Sequence, residues 1–298
     1  MRKVTEGAVV AGIDGSGSAV RAAVWAAGEA SRRNRPLRLV NVYTVPARIP
    51  SVAGSAEEIR AGFENRGQEW LSVAREAVLE RHPDLVVEAA AREWNPVAAL
   101  VQESLTATMI VLGSRGLGGF TGLLVGSTAV ALAQHGHCPI VVARGKHPAD
   151  SPPETGPIVV GTDGSPASTS AIAFAFEEAA LRGTGLVVVR TWNEVAENGE
   201  RWPHGHAVDA AATEVAERTA VEGQVALWRD KEPDVPLEIV VTKGRPVRTL
   251  LGFGERAQLL VVGCRGRGGF QGMLLGSTSQ ALVAHSECPV AVIRPEQS

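Results

Sequence analysis

Two aspartates, two Ser-Thr pairs and two runs of glycine carry the chemistry this chain could perform. Asp14 stands in GIDGS and Asp163 in GTDGS, each closing an apolar run that opens its half of the sequence. Farther on, Gly113, Gly116 and Gly126-Ser127-Thr128 recur as Gly263, Gly266 and Gly276-Ser277-Thr278, a G-x2-G-x9-G-S-T spacing written twice. Glycines so placed let the backbone turn and aim successive N–H groups inward as an anion nest. Gly118 and Gly119, with Gly268 and Gly269 in the second copy, belong to the same turn. The helix opened by each Ser-Thr pair adds free N–H groups and a positive dipole end, and the hydroxyls can cap that helix or donate to a ligand. Phosphate binding is the chemistry these parts suit. Gly113 and Gly263 end buried strands, where a ligand could approach the backbone with no Cβ in the way. Asp14 and Asp163 have two readings: turn formers ahead of a helix, or groups that meet the base or ribose of a nucleotide at the strand ends. Arg115 and Arg265 sit inside the loops, as phosphate-neutralising cations or as solvated loop charges.

The motifs belong to a whole-chain duplication. Residues 112–144 and 262–294 are identical at 18 of 33 positions. A period of about 150 residues is a domain, too long for a solenoid unit. The expected boundaries are 1–146 for the first domain, 147–156 for a Pro-rich linker and 157–298 for the second. Within each copy, continuous Val/Ile/Leu runs alternate with helical stretches, the pattern of parallel strands covered on both faces. That predicts an α/β fold of two tandem doubly wound parallel sheets. In such sheets ligands bind beyond the carboxyl ends of the strands, where the motifs sit. The segments TVPARIPSVAGS and EVAENGERWPHGH, after the second strand of each copy, have no readable pattern.

A chain of 298 residues with 45% apolar content can bury a core in each half. A net charge of −3 without a basic run argues against nucleic acid as the main partner. No stretch is long and apolar enough to span a membrane, and the N-terminal residues lack a signal peptide's apolar region, so a cytoplasmic location is expected. Of the three cysteines, Cys138 and Cys288 hold matching positions before a proline, and they read as core residues in a reducing compartment.

With these motifs in both halves, the chain resembles tandem universal stress proteins of the ATP-binding kind, and the resemblance covers nearly its whole length. It implies a five-stranded parallel sheet of order 3-2-1-4-5 in each domain, the adenine nucleotide alpha hydrolase-like arrangement. It implies one ATP per domain, for which Mg is the candidate metal bridging the phosphates, and a role in stress or dormancy response. By position, the nucleotide contacts fall on Gly12, Asp14, Val42, Gly113, Ser114, Arg115, Gly116, Gly118, Gly119, Gly126, Ser127 and Thr128. In the second domain they fall on Gly161, Asp163, Thr191, Gly263, Cys264, Arg265, Gly266, Gly268, Gly269, Gly276, Ser277 and Thr278. Copy two keeps Gly244 before the proline of its third helix; copy one has Trp94 there, close to where adenine would lie.

The hydrolase parts are missing. There is no lysine phosphate loop, and no repeated carboxylate pair or histidine stands near the motifs. His135 and His285 close a helix, where an imidazole complements the dipole. The expectation is a nucleotide-dependent sensor with little or no turnover. The rival is a slow ATPase or nucleotide-transferring enzyme on the same fold. Each last strand, PIVVAR and PVAVIR, would leave an apolar edge, so homodimerisation through those strands is expected from edge logic and the resemblance.

Overall fold

The computed structural model describes residues 7–46, 55–116, 125–147, 149–193, 209–267 and 274–295. Two compact units divide at Pro152 and Pro153. Gly118, Gly119, Gly268, Gly269 and most of the two variable segments lie outside the described residues.

Unit one runs β1 (Val9–Gly12), α1 (Gly17–Arg32), β2 (Leu37–Tyr43), α2 (Ala56–Arg81), β3 (Val87–Glu93), α3 (Pro96–Glu103), β4 (Met109–Gly113), α4 (Ser127–His135), β5 (Ile140–Ala143). Its strands pair in parallel in the order β3-β2-β1-β4-β5. Val9, Val10, Ala11, Met109, Ile110 and Val111 are almost wholly buried, because helices cover both faces of the central strands. Removing a Val, Leu or Met side chain from water contributes about 1.5–3 kcal/mol. The third strand begins at Val87.

Local chemistry sets the helix starts. The Ser16 hydroxyl accepts the Ala19 N–H at 3.1 Å and caps α1. Ser55 and Glu58 exchange bonds in a capping box at α2. Asn95 caps α3, with Pro96 in its first turn. The buried face of α1 is nearly all alanine (Ala19, Ala22, Ala23, Ala26, Ala27 and Ala30), which lets the helix lie close to the sheet.

Unit two repeats the plan: β6 (Ile158–Thr162), α5 (Pro166–Arg182), β7 (Leu186–Trp192), α6 (Ala210–Lys231), β8 (Leu237–Lys243), α7 (Pro246–Gly254), β9 (Leu259–Gly263), α8 (Ser277–His285), β10 (Val290–Ile293). The strand order is β8-β7-β6-β9-β10, again all parallel. Ser165 caps α5 at 3.2 Å, with Pro166 as the first helical residue. Phe176 is fully buried in this unit's core.

A buried acid also repeats. Glu29 is wholly enclosed and bonds Arg33 at 2.8 Å; Glu178 is wholly enclosed and bonds Arg182 at 2.9 Å. A buried carboxylate without its partner is strongly destabilising, so each pair fixes the C-terminal turn of its helix. Among the described residues, no helix is long and apolar enough to cross a membrane.

Candidate functional site

The repeated spacing converges at the carboxyl ends of the central strands. In unit two, β6, β7 and β9 end around a cavity of about 550 Å³. Its wall includes Gly161, Asp163, Thr191, Gly263, Arg265, Gly266, Gly276, Ser277 and Thr278, all expected from the sequence. The cavity lies in the size range of small-molecule sites. Cys264 does not line it. Its side chain is 1% exposed and packs into the core, while its carbonyl accepts the Gly276 N–H at 2.8 Å and closes the loop. Ser114 is likewise buried, and its carbonyl accepts the Gly126 N–H at 3.0 Å. The paired positions contribute backbone to the loop, which explains why Ser and Cys interchange.

Asp163 organises the loop. Its Oδ1 accepts the Ser165 N–H at 3.0 Å, forming a tight local turn, and its Oδ2 accepts the Arg267 N–H at 2.8 Å from the glycine loop. Burial pushes its carboxyl pKa up, but hydrogen bonds from Ser165, Arg267 and Ser168 outweigh burial and hold it below the ordinary value. Asp14 makes the same turn, taking the Ser16 N–H at 3.1 Å and the Ser16 hydroxyl at 2.7 Å. Ser16 Oγ also donates to the Arg115 carbonyl at 3.1 Å, and Ser165 Oγ to the Arg265 carbonyl at 3.2 Å. The aspartate and the glycine loop are therefore one bonded assembly in each unit.

The glycines have separate duties. A Cβ at Gly116 would strike Asp14 Oδ2, and one at Gly266 would strike Asp163 Oδ2. The missing Cβ makes room for the carboxylate. At Gly113 and Gly263 the missing Cβ also serves a close packing. A Cβ at Gly113 would lie 2.6 Å from Ser18 Oγ and 2.9 Å from the Ala19 nitrogen. At Gly263 it would lie 2.8 Å from the Ala167 carbonyl carbon. These two glycines admit the first turns of α1 and α5 to the strand ends. Gly12 and Gly161 similarly leave space for Leu112 and Leu250.

Helices α4 and α8 begin after Gly126 and Gly276 with no side-chain cap. The hydroxyls of Ser127, Thr128, Ser277 and Thr278 thus do not perform the capping role the sequence allowed them. Uncapped first-turn N–H groups are anion donors. In unit two they border the cavity through Ser277 and Thr278, and the Ser279 hydroxyl ties α8 to the Gly263 carbonyl at 2.6 Å.

In unit one, Asp14, Gly116 and Gly126 come together as in unit two, with the Gly116 nitrogen 4.0 Å from an ideal Cβ on Gly126. Val42 lies on β2, two residues beyond the partner of Gly12. Trp94 is 49% exposed; its N–H bonds the Tyr43 carbonyl and its carbonyl takes the Thr44 hydroxyl.

The walls differ in ways the motifs did not signal. Unit two carries Arg190, ion-paired to Glu217 at 2.7 Å, both on the cavity wall. At the matching places unit one has Asn41, whose amide donates to the Ile13 carbonyl at 2.8 Å, and Gly67 packed against it. Thr162 bonds Gln224 at 2.9 Å and Ser168 at 3.2 Å, where unit one has Ile13, Ala74 and Ala19. Trp70 lies over Gly15 in unit one; Arg267 and Gln224 lie over Gly164 in unit two.

The universal stress protein family model matches residues 7–144 and again 154–294. The chain belongs to the universal stress protein family. It is 36% identical over 290 residues to a universal stress protein of Mycobacterium tuberculosis H37Rv, covering 96% of each chain. A universal stress protein of Mycolicibacterium smegmatis is 34% identical over 299 residues, with 99% of each covered. Among solved structures, a universal stress protein from Archaeoglobus fulgidus matches with a TM-score of 0.67 at 18% identity, over 99% of this chain and 100% of that one. At that identity the likeness speaks to fold. The family's double match coincides with the repeated aspartate-and-glycine assembly.

Proposed function

We propose that this universal stress protein is an ATP-binding sensor, with one adenine nucleotide held at the strand ends of each unit and little or no turnover. The observation that carries the reading is the cavity of about 550 Å³ in unit two, bordered by the Gly263–Gly266 turn and the uncapped start of α8. The Ser277 and Thr278 N–H groups and the Arg265 guanidinium would hold the phosphates. Several charge-assisted bonds of roughly 1.5–3 kcal/mol each are enough for micromolar binding after association costs. The backbone at Thr191 and the Gly161 strand end would meet the nucleoside. Mg is the cation that would accompany the phosphates.

Binding without turnover is favoured by the state of the wall's carboxylates. Asp163 accepts the Ser165 and Arg267 N–H groups and Glu217 holds Arg190, so both carboxylates already serve structural bonds. Nucleotide would act by favouring one conformation over another. The last strands β5 and β10 are the proposed route to a homodimer, and a cytoplasmic setting completes the reading.

The test is mass spectrometry of small molecules released by denaturing the purified chain, followed by an ATP turnover assay. Adenine nucleotide at two equivalents per chain with background hydrolysis supports the proposal. Absence of retained or titratable nucleotide refutes the binding claim. Turnover abolished by Asp14→Ala with Asp163→Ala refutes the sensor-only claim.

A further inference from the structure

Helix α7 has a second face that the cavity does not use. Pro246 and Leu250 line the nucleotide-sized cavity, while Arg245, Arg248, Gly252, Phe253 and Arg256 line an open groove with Lys243. Arg248 and Gly252 stand four residues apart on α7, with Arg245 at its N-cap and Arg256 just past its C-cap Glu255. Lys243 and the three arginines are exposed. Among the described residues, no hydrogen bond or ion pair engages the guanidinium groups of Arg245, Arg248 and Arg256. Lys243 stands 5.8 Å from the centre of the Trp192 ring. The matching positions of unit one are Glu93, Asn95, Ala98, Gln102 and Thr106, so the duplication does not explain the charge. Glu255 is the one exposed carboxylate within the stretch, beside Arg256 and outside the groove lining.

We propose that this face of α7 docks an acidic segment of a partner protein. A single phosphate is normally gripped by donors that converge on one point. Here the cations flank and line a helix of 9 residues, about 13 Å long at the helical rise, which matches carboxylates distributed along a chain. The groove, about 550 Å³, is open, and half-buried Phe253 beside bare Gly252 gives an apolar seat between the charges. Four clustered cations on a chain of net charge −3 are the complement of an acidic strand or helix. The inference stands whatever fills the neighbouring cavity.

The probe is a fluorescein-labelled synthetic peptide of glutamates interspersed with leucines, followed by anisotropy with the full-length protein. Binding that weakens with salt is expected, along with a loss of roughly tenfold or more in Arg245→Ala/Arg248→Ala/Arg256→Ala, as three charge contacts vanish. The lysine-for-arginine triple variant keeps the charge and should retain most of the affinity, which separates lost charge from lost folding. Unchanged affinity in the alanine variant, or no binding by the wild type, overturns the proposal. So does complete displacement by tripolyphosphate at equimolar concentration, which would make the groove a small-anion site. Tighter binding of single-stranded DNA than of the peptide would overturn it in favour of nucleic acid.

Discussion

Alanine at Gly266 probes the bond between aspartate and loop directly. An ideal Cβ at this position falls on Asp163 Oδ2, far inside van der Waals contact, although the backbone there is not in the left-handed region that favours glycine. The substitution therefore carries little intrinsic backbone strain, and its cost reports the contact. Asp163 must swing away, which breaks the 2.8 Å bond from the Arg267 N–H. A hydrogen bond to a charged group contributes about 1.5–3 kcal/mol; for a carboxylate that is only partly enclosed, about 1.5–2 kcal/mol is the relevant end. If the pinned loop is the form that binds phosphate, ATP affinity at the second site falls roughly 10- to 30-fold. Titration calorimetry on the full chain measures it, and hydrogen exchange at Arg267 reports the broken bond independently of any ligand. Asp163→Ala closes a double-mutant cycle: with the carboxylate gone, adding Gly266→Ala should change affinity by less than about 0.5 kcal/mol. Wild-type exchange at Arg267 in Gly266→Ala, or an equal penalty with and without the carboxylate, would refute the reasoning.

Asp163 should also leave a mark on the acid limb of stability. Its native pKa lies below the ordinary 3.8, so the unfolded chain binds the proton first as pH falls. The carboxylate's contribution is fully present above that value and is lost as pH drops through the native pKa. Urea melts across that range should show a shallower acid slope in Asp163→Asn, and an identical slope would contradict the assignment. Burial pushes the Cys138 thiol up to about 12, and Cys264 and Cys288 are also enclosed. Intact-mass measurement after iodoacetamide at pH 8 should find the native protein unlabelled and the denatured chain labelled three times; rapid native labelling would place a thiol at the surface. Phe176→Ala empties a fully buried site and should cost about 3–5 kcal/mol in urea unfolding. A cost below about 1 kcal/mol would mean the core of unit two is not packed as described.

The sequence spoke clearly where chemistry is local. Continuous apolar runs such as MIVLG and LLVVG become buried parallel strands because both faces are covered, and Ser-Pro at 165–166 starts a helix by its own capping. The second-copy loop residues meet at one cavity because their spacing is set by a strand, a turn and a helix start in immediate succession. What depends on distant elements was hidden. The duty of Gly113 and Gly263 is set by the approach of α1 and α5, nearly a hundred residues earlier. That Ser127 would be a first helical residue and Gly126 the cap is a difference of one position, below what residue preference can decide. Cys264 looked like a site residue from its place in the motif, and only its inward rotation shows that the backbone matters there. The Arg190–Glu217 pair joins a strand to a helix across a segment with no pattern, so neither residue advertised the other.

That pair has a corollary for anyone recombining the two halves. A side chain at position 67 collides with Asn41 Oδ1, whereas Glu217 is accommodated by Arg190. Strand and helix have drifted as a matched set, like a lock recut together with its key. A chimera that grafts β7 onto unit one without α6 would leave a guanidinium facing bare glycine, and the reverse graft would press a carboxylate against an amide. The smallest transplantable piece is thus the strand with its covering helix, and shuffling within that boundary should yield chains that fold poorly.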